Sequence, residues 1–464
     1  MSHRRRKTPI IKAHVAPKAA PPPSLLDEVA PLIRMEREVE EEFRPRMGAR
    51  LVEKIDEFDA LQKGTAPRCV TCNRAMKSRG RRRAPSLLTR FGELSLTSTV
   101  YRCEPCKQQI RPLWERLGVE AGQVSGSLAR LLALLGVVVP YDLAAKLCFL
   151  FFGIEVSPMA VWRAVQRLGD ACAVYTEQQA RFFGDARQGP PTEGAFPLAV
   201  LLGIDGSALG MQVRPHRRRR KDGEVLPPLP PVEEGHFREV KTGVLLLPSE
   251  RVEPSPGRRS VVRRVLVTCL GNADQVFDLV FAKLCALRWL GPETVVVICG
   301  DGAEWIWNRA KLFPKRCEIL DFWHAVEKAW EFARPRYGEG SSRAARFAHD
   351  IGVDLRAGRV NEVIARLAKL RPPEAEHQER LASLVKYYTD HRSRMRYDEY
   401  LRLGYGIGSG AVESSHKQVV QARMRQAGMR WSEAGARRLL ALRVLLLNGE
   451  WSLLDRLAMK PLAA

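Results

Sequence analysis

The chain has 464 residues, enough for two or three domains with cores of their own. Hydrophobic residues make up 45% and charged ones 27%, a globular balance that excludes a fibrous or mostly disordered chain. Lys and Arg number 75 against 52 Asp and Glu, and a net charge of +23 draws polyanions, nucleic acid first among them. The rival reading, a basic protein of membrane surfaces, needs an amphipathic helix with a clean basic face, and none stands out. No segment is apolar for the ~18 residues of a membrane span. The nearest, 128–154, carries Arg130, Asp142 and Lys146. No apolar run follows the basic start, so the expected place is the cytoplasm, in association with the nucleoid.

Residues 1–23 are basic and rich in Pro and Ala, and are expected to form a disordered arm. Residues 24–65 have a helical pattern with an acidic patch from Glu38 to Glu42. Cys69-Val-Thr-Cys72 and Cys103-Glu-Pro-Cys106 then predict a zinc ribbon over 66–115. Each Cys-x-x-Cys knuckle can give two thiolates to one tetrahedral structural zinc. In a reducing compartment that reading is favoured over two unrelated pairs. The second knuckle ends a strand-like run, Glu93 to Tyr101, and the cluster from Arg79 to Arg83 reads as a loop for phosphates. The other six cysteines sit singly in apolar runs, as reduced core residues do.

Residues 120–182 read as helices over 124–135, 141–152 and 157–168. Gly153 and a capping Ser157 between the last two match a helix-turn-helix, with Trp162, Arg163 and Gln166 facing a major groove. An ordinary helical hairpin is the alternative. Residues 183–196 read as a linker.

The region 197–447 changes character. Pro197 to Asp205 is an apolar strand ending in Gly-Ile-Asp-Gly, and a loop with His216, Arg217, Arg218, Arg219 and Arg220 follows. Strands over 238–247 and 263–270, a helix over 272–290 and a fully apolar strand over 294–299 come next. The last of these ends in Gly300-Asp301-Gly302. A short strand, 318–320, leads into Asp321-Phe-Trp-His324 at the start of a helix. Residues 325–400 are helical throughout, and a glycine-rich approach over 404–410 precedes a helix over 411–425. Three strands, helix, strand, helix, strand, then helices is the α/β ribonuclease H-like plan with an all-helical insertion. Residues 448–464 form a tail.

Asp205 and Asp301 each follow a buried strand and sit beside glycine, where a phosphate or a metal can approach the backbone. Asp-Gly alone is a common turn. The pair, placed in this topological order, is what singles these two out. Two such carboxylates and a third on a helix can hold two Mg²⁺ or Mn²⁺ ions about 3.5–4 Å apart. Hard cations of that kind prefer carboxylate oxygens.

The residues Gly203-Ile-Asp-Gly206, Glu239-Val-Lys-Thr-Gly243, Gly300-Asp-Gly-Ala-Glu-Trp305, Asp321-Phe-Trp-His324 and Gly408-Ser-Gly-Ala-Val-Glu-Ser414 form a specific set. With Arg423-Met-Arg-Gln-Ala-Gly-Met-Arg-Trp431, this set resembles the DDE insertion-sequence transposases of the ISKra group, and more loosely the Mutator-like and Lre-type elements. Including the two knuckles and Phe151-Phe-Gly-Ile-Glu-Val-Ser157, the resemblance runs from about 66 to 447. It implies that Asp205, Asp301 and Glu413 are the metal-binding triad. Glu413, Lys417 and Gln421 recur every four residues and so share a helix face, which sets Lys417 toward a phosphate; a solvated lysine is the alternative. Asp321 and His324 project together, to orient the scissile phosphate or the attacking water, or to cap the helix. Arg423, Arg425 and Arg430 are expected on backbone phosphates, with Arg163 and Arg217 to Arg220 as further DNA contacts. Trp305 and Trp431 stack on a flipped base or belong to the core.

The implied activity is DNA transposition. The front domains dock on terminal inverted repeats, water cleaves a phosphodiester at each end, and the freed 3′-hydroxyl attacks target DNA. At least a homodimer on DNA is expected, with no membrane and no small-molecule substrate. Two readings compete: a catalytically silent regulator descended from a transposase, and a structure-specific nuclease or resolvase. A zinc-ribbon transcription factor would leave 197–447 without a purpose.

Overall fold

The computed structural model describes residues 31–61, 66–84, 86–119, 124–184, 192–212, 236–255, 258–261 and 263–457. The expected basic arm and the residues Arg217, Arg218, Arg219 and Arg220 lie outside the described residues. The chain divides into two units, Met1–Ala171 with Ser452–Ala464 and Cys172–Trp451. It is mixed α/β with a helical part and a small four-cysteine cluster toward its N-terminus.

In the first unit a helix, α1 (Pro31–Leu61), precedes five short strands, β1 (Lys77–Arg83), β2 (Leu87–Thr89), β3 (Gly92–Leu94), β4 (Thr97–Arg102) and β5 (Gln109–Ile110). β4 pairs antiparallel with β1 and β5, and β2 with β3. A core of Ile55, Ala84, Leu87, Leu94, Leu96, Leu113 and Trp114 joins α1 to these strands and to α2 (Pro112–Arg116). The helices α3 (Gly126–Val138), α4 (Tyr141–Phe152) and α5 (Pro158–Gly184) follow. The side chain of Ser125 caps α3 through Leu128 N, and Gly153, at φ 59°, ends α4 in the left-handed conformation. The Ser157 hydroxyl accepts from Ala160 N at 3.2 Å. Gly136 lets α5 close on α3, since a Cβ there would stand 2.8 Å from the side chains of Val161 and Val165.

Three expectations change here. Arg79 to Arg83 lie on β1, an exposed strand paired with β4, and not on a loop. The run from Glu93 to Tyr101 is broken into β3 and β4. Helix α5 continues to Gly184, past the expected end at Leu168 and into the expected linker, because 169–184 holds no proline and the single internal Gly169 is tolerated in a helix.

The second unit is built on a five-stranded sheet. Its strands are β6 (Ala199–Gly210), β7 (Phe237–Leu246), β10 (Val265–Leu270), β11 (Val295–Gly300) and β12 (Arg316–Leu320), in the order β10-β7-β6-β11-β12. β6, β7 and β10 pair antiparallel, and β11 is parallel to both β6 and β12. Val200, Leu202, Ile204, Val296 and Ile298 are fully buried, as unbroken apolar runs in a sheet interior should be. The helix α6 (Ala273–Ala286) covers one face, with Val280 against Gly243, and α7 (Glu304–Ala310) follows β11. A hairpin of β8 (Arg251–Ser255) and β9 (Arg258–Val261) precedes β10 and was not expected.

The helical part is α8 (Phe322–Tyr337), α9 (Ser342–Arg356), α10 (Val360–Ala368), α11 (Ala375–His391) and α12 (Tyr397–Arg402). Beyond it come α13 (Gly410–His416), a π-helical turn (Lys417–Gln421), α14 (Ala422–Met424), α15 (Glu433–Leu447) and, in the first unit, α16 (Leu453–Leu457). The single long helix expected over 411–425 is thus interrupted. Arg443 of α15 donates to the carbonyls of Gln418 and Val419, which the π turn leaves open. Among the described residues no helix is long and apolar enough to cross a membrane.

Candidate active site and metal centre

The four cysteines of the two knuckles converge. The sulfurs of Cys69, Cys72, Cys103 and Cys106 lie within 4.8 Å of one another, and all four are free thiols. Cys72 and Cys103 stand 3.5 Å apart, close to the about 3.8 Å that two sulfurs on one tetrahedral zinc would show. The knuckles have the same backbone. In each, the residue after the second cysteine, Asn73 or Lys107, takes a left-handed φ of 56° or 57°. The backbone amides of Cys72 and Thr71 pull the Cys69 thiol down to about 6. The neighbouring Cys72 pushes Cys106 up to about 12. Four thiols this close cannot all ionise without a cation between them. The cluster can therefore hold a structural metal such as zinc.

The acidic residues lie in the second unit. The register of the parallel pair matches Cys299 to Gly203, so two residues further Asp301 comes level with Asp205. One expectation is corrected here: β6 does not end at Asp205 but runs on to Gly210, because β7 keeps pairing with it from Asp205↔Thr242 to Gly210↔Phe237. Asp205 alternates onto the same face as Gly203. Val412 of α13 packs on that face so closely that a Cβ on Gly203 would stand 2.3 Å from it. Hence the helix that carries Glu413 covers the face toward which Asp205 projects.

Asp205 Oδ1 accepts from Gly206 N at 2.6 Å. Burial raises its carboxyl above the ordinary value; Asp301 adds to this, while His416 and His324 pull it down. Asp301 Oδ1 accepts from Ala303 N at 3.0 Å, and its carbonyl accepts from the Tyr387 hydroxyl of α11, also at 3.0 Å. Gly302, at φ 103°, leaves room for Tyr387, whose hydroxyl would stand 2.9 Å from a Cβ there.

Asp321 is fully buried and caps α8 through His324 N at 3.0 Å. Its other oxygen accepts from Ser409 N, and the Ser409 hydroxyl stands 3.3 Å from Glu413 Oε1. This carboxylate therefore ties the start of α8 to the turn that launches α13. His324 Nδ1 lies 3.4 Å from Asp321 Oδ1, an ion-pair contact rather than an aligned hydrogen bond. The Asp321 carboxylate, with Asp301 and Asp205 behind it, pushes the His324 ring up to about 9. Glu413 itself is exposed. The carboxylates of Asp205, Asp301 and Glu413 are not all within 4.8 Å of one another.

Sequence reasoning missed His416. It sits one turn past Glu413, is 4% exposed, and points Nε2 to 3.9 Å from Asp205 Oδ2. Burial lowers its pKa, while the Asp205 carboxylate and carbonyl pull the other way. The spacing Glu413-Ser-Ser-His416 was the available signal. Ser409 and Tyr387 were missed as well, one inside a glycine-rich approach and the other inside a helical run.

The expected DNA contacts divide. Arg423 is corrected: it is 1% exposed, with its guanidinium against the Met429 sulfur and over the Trp431 ring, so no phosphate can reach it. Lys417 and Arg425 are exposed, and Arg425 Nη1 stands 3.4 Å from Ser207 Oγ, two residues beyond Asp205. Arg430 is half-buried, and Arg163 is exposed on α5 in the first unit. Trp305 lies under Lys241 Nζ at 4.3 Å and edge-on to Phe277, and Trp431 donates to the Met424 carbonyl at 2.9 Å. Both rings are half-buried and in contact with neighbours within the protein.

No protein-family model and no curated protein matches the chain.

Proposed function

We propose that the chain is a DDE-type DNA transposase with a ribonuclease H-like core, and that Asp205, Asp301 and Glu413 hold two divalent ions. The observation that supports this reading is the parallel pairing up to Cys299↔Gly203, which leaves Asp205 and Asp301 two residues further along neighbouring segments, near the helix of Glu413. The strand order supports it too: the first three strands of the sheet pair antiparallel and the last two run parallel, as expected of that plan. The donor set fits magnesium or manganese. Hard cations prefer carboxylates, and the Asp205 carboxyl, raised first by burial and further by Asp301, is one whose charged form a cation would stabilise. Bound ions would supply Lewis-acid stabilisation of the attacking and leaving oxygens of a phosphodiester.

The chain's own residues do the rest. Asp321 acts through Ser409 and is a positioning residue, since it is buried away from any substrate. His324, drawn toward its protonated form by Asp321, would meet a phosphate oxygen. Lys417 and Arg425 offer exposed cations on the approach. In the first unit, the turn at Gly153, the cap at Ser157 and the exposed Arg163 suit docking on the ends of an element. The zinc of the four cysteines would hold the ribbon in shape. DNA ends and target DNA are the partners, engaged by two or more copies.

The test uses DNA taken from either side of the gene. With Mg²⁺ or Mn²⁺ the chain is expected to nick it and to join pre-cleaved 3′ ends to a second duplex. Asp205→Ala should remove several kcal/mol of transition-state stabilisation, about three decades in rate. Unchanged nicking by Asp205→Ala would overturn the assignment. Cleavage of branched DNA without any joining would favour a nuclease.

A further inference from the structure

A buried imidazole with no hydrogen-bond partner is costly, at roughly 1–3 kcal/mol for each orphaned group. His416 is in that state. It is 4% exposed, and neither Nδ1 nor Nε2 makes a well-aligned hydrogen bond, although the Asp205 carboxylate and carbonyl both lie close enough to act on the ring. The ring is not loose in an apolar void. Its Nε2 faces the Asp205 carboxylate at 3.9 Å, and it rides on the helix that carries Glu413, three residues on. The π turn begins directly after His416, and such turns gather at functional sites.

We propose that His416 is a nitrogen ligand of the ion held by Asp205, so that the acidic site is a mixed carboxylate and imidazole site. This rests on the reading of Asp205 as a metal ligand. In an octahedral shell with bonds of about 2.1 Å, neighbouring donors stand about 3.0 Å apart and opposite ones about 4.2 Å. The 3.9 Å between Asp205 Oδ2 and His416 Nε2 is nearer the distance of opposite donors, and a small turn of either side chain would bring both onto one ion. A cation there would give the orphaned nitrogen the partner that the protein withholds. An imidazole also shifts preference among cations, because nitrogen suits transition metals better than magnesium or calcium. The site is therefore expected to favour Mn²⁺ over Mg²⁺ and to reject Ca²⁺.

The test is Mn²⁺ binding to the full chain with zinc already on the cysteines, with and without a short DNA duplex. Pulsed electron paramagnetic resonance should detect a directly bound nitrogen in the wild type. Labelling histidine with ¹⁵N should change that coupling, which separates it from a base nitrogen. His416→Gln should abolish the coupling and weaken Mn²⁺ at least about tenfold, the loss that removing even an outer partner brings. The wild-type spectrum needs no variant to fold. Mn²⁺ that is lost in Asp205→Ala but shows no histidine nitrogen would overturn this role for His416 and leave the acidic site standing. A nitrogen signal that persists in His416→Gln would overturn it equally. Mn²⁺ binding indifferent to Asp205→Ala under both conditions would remove the acidic site, and His416 with it.

Discussion

The four cysteines of the first unit and the acidic side chains of the second stand at different stages of assembly. Cys69, Cys72, Cys103 and Cys106 arrive together, with all four sulfurs inside 4.8 Å and the two knuckles folded alike. Asp205 on β6 and Asp301 just past β11 lie close enough for their charges to interact, yet with Glu413 they form no group as tight as the four sulfurs. Physical chemistry gives a reason for both. A structural zinc takes all its ligands from the protein, so the fold must deliver a complete closed shell. Magnesium keeps several waters and binds through one or two carboxylates plus the substrate's phosphates. On the proposed function, the acidic site would wait for DNA to supply oxygens and would have no need to gather its carboxylates beforehand.

The largest expected effect breaks the first region and spares the second. With zinc bound at the four-cysteine cluster, chelating it or changing Cys103→Ser should remove folding energy on the order of 10 kcal/mol from that region. Hydrogen exchange would then show residues 66–110 unprotected while β6 and β11 keep their protection. Equal loss in both places would mean that the two regions do not fold separately.

A smaller effect concerns the tie between α8 and α13. Asp321→Ala removes a helix cap and orphans the Ser409 amide, a cost of roughly 2–4 kcal/mol by chemical denaturation. Ser409→Ala keeps the amide bond and loses only the reach to Glu413, so about 1 kcal/mol is expected. Turnover in Ser409→Ala should fall while the Kd for DNA holds. Equal costs for the two variants would contradict the tie.

The smallest effect is one of pH. Asp321 raises the His324 ring from 6.5 in the unfolded chain to about 9 in the folded one. Its stabilisation is therefore complete below about 6.5 and is lost as pH climbs through about 9. In the metal-free protein, histidine NMR should find this titration near 9, and Asp321→Asn should bring it down. His324→Phe should flatten the fall in stability across that window.

How much of this was legible follows from what each residue depends on. The strands around Asp205 and Asp301 could be read because buried parallel strands are unbroken apolar runs. The cysteine knuckles could be read because spacing alone brings two sulfurs to one ion. The β8–β9 hairpin could not, since Pro254, Pro256 and Gly257 read as loop. Arg423 was misplaced because charge argues for solvent, and only the packing of Met429 and Trp431 reveals a buried guanidinium. His416 offered only its spacing from Glu413 in a helical run, and its meaning comes from a strand more than 200 positions earlier in the chain. The turn of Ser409 depends likewise on Asp321, 88 residues before it.

The most direct measurement is the anomalous scattering of Mn²⁺ in crystals of the chain bound to a DNA end. The account predicts two peaks about 3.5–4 Å apart, held among Asp205, Asp301 and Glu413 and touching a phosphate oxygen. Peaks elsewhere, or a DNA end seated with those three side chains still apart and no ion between them, would contradict it.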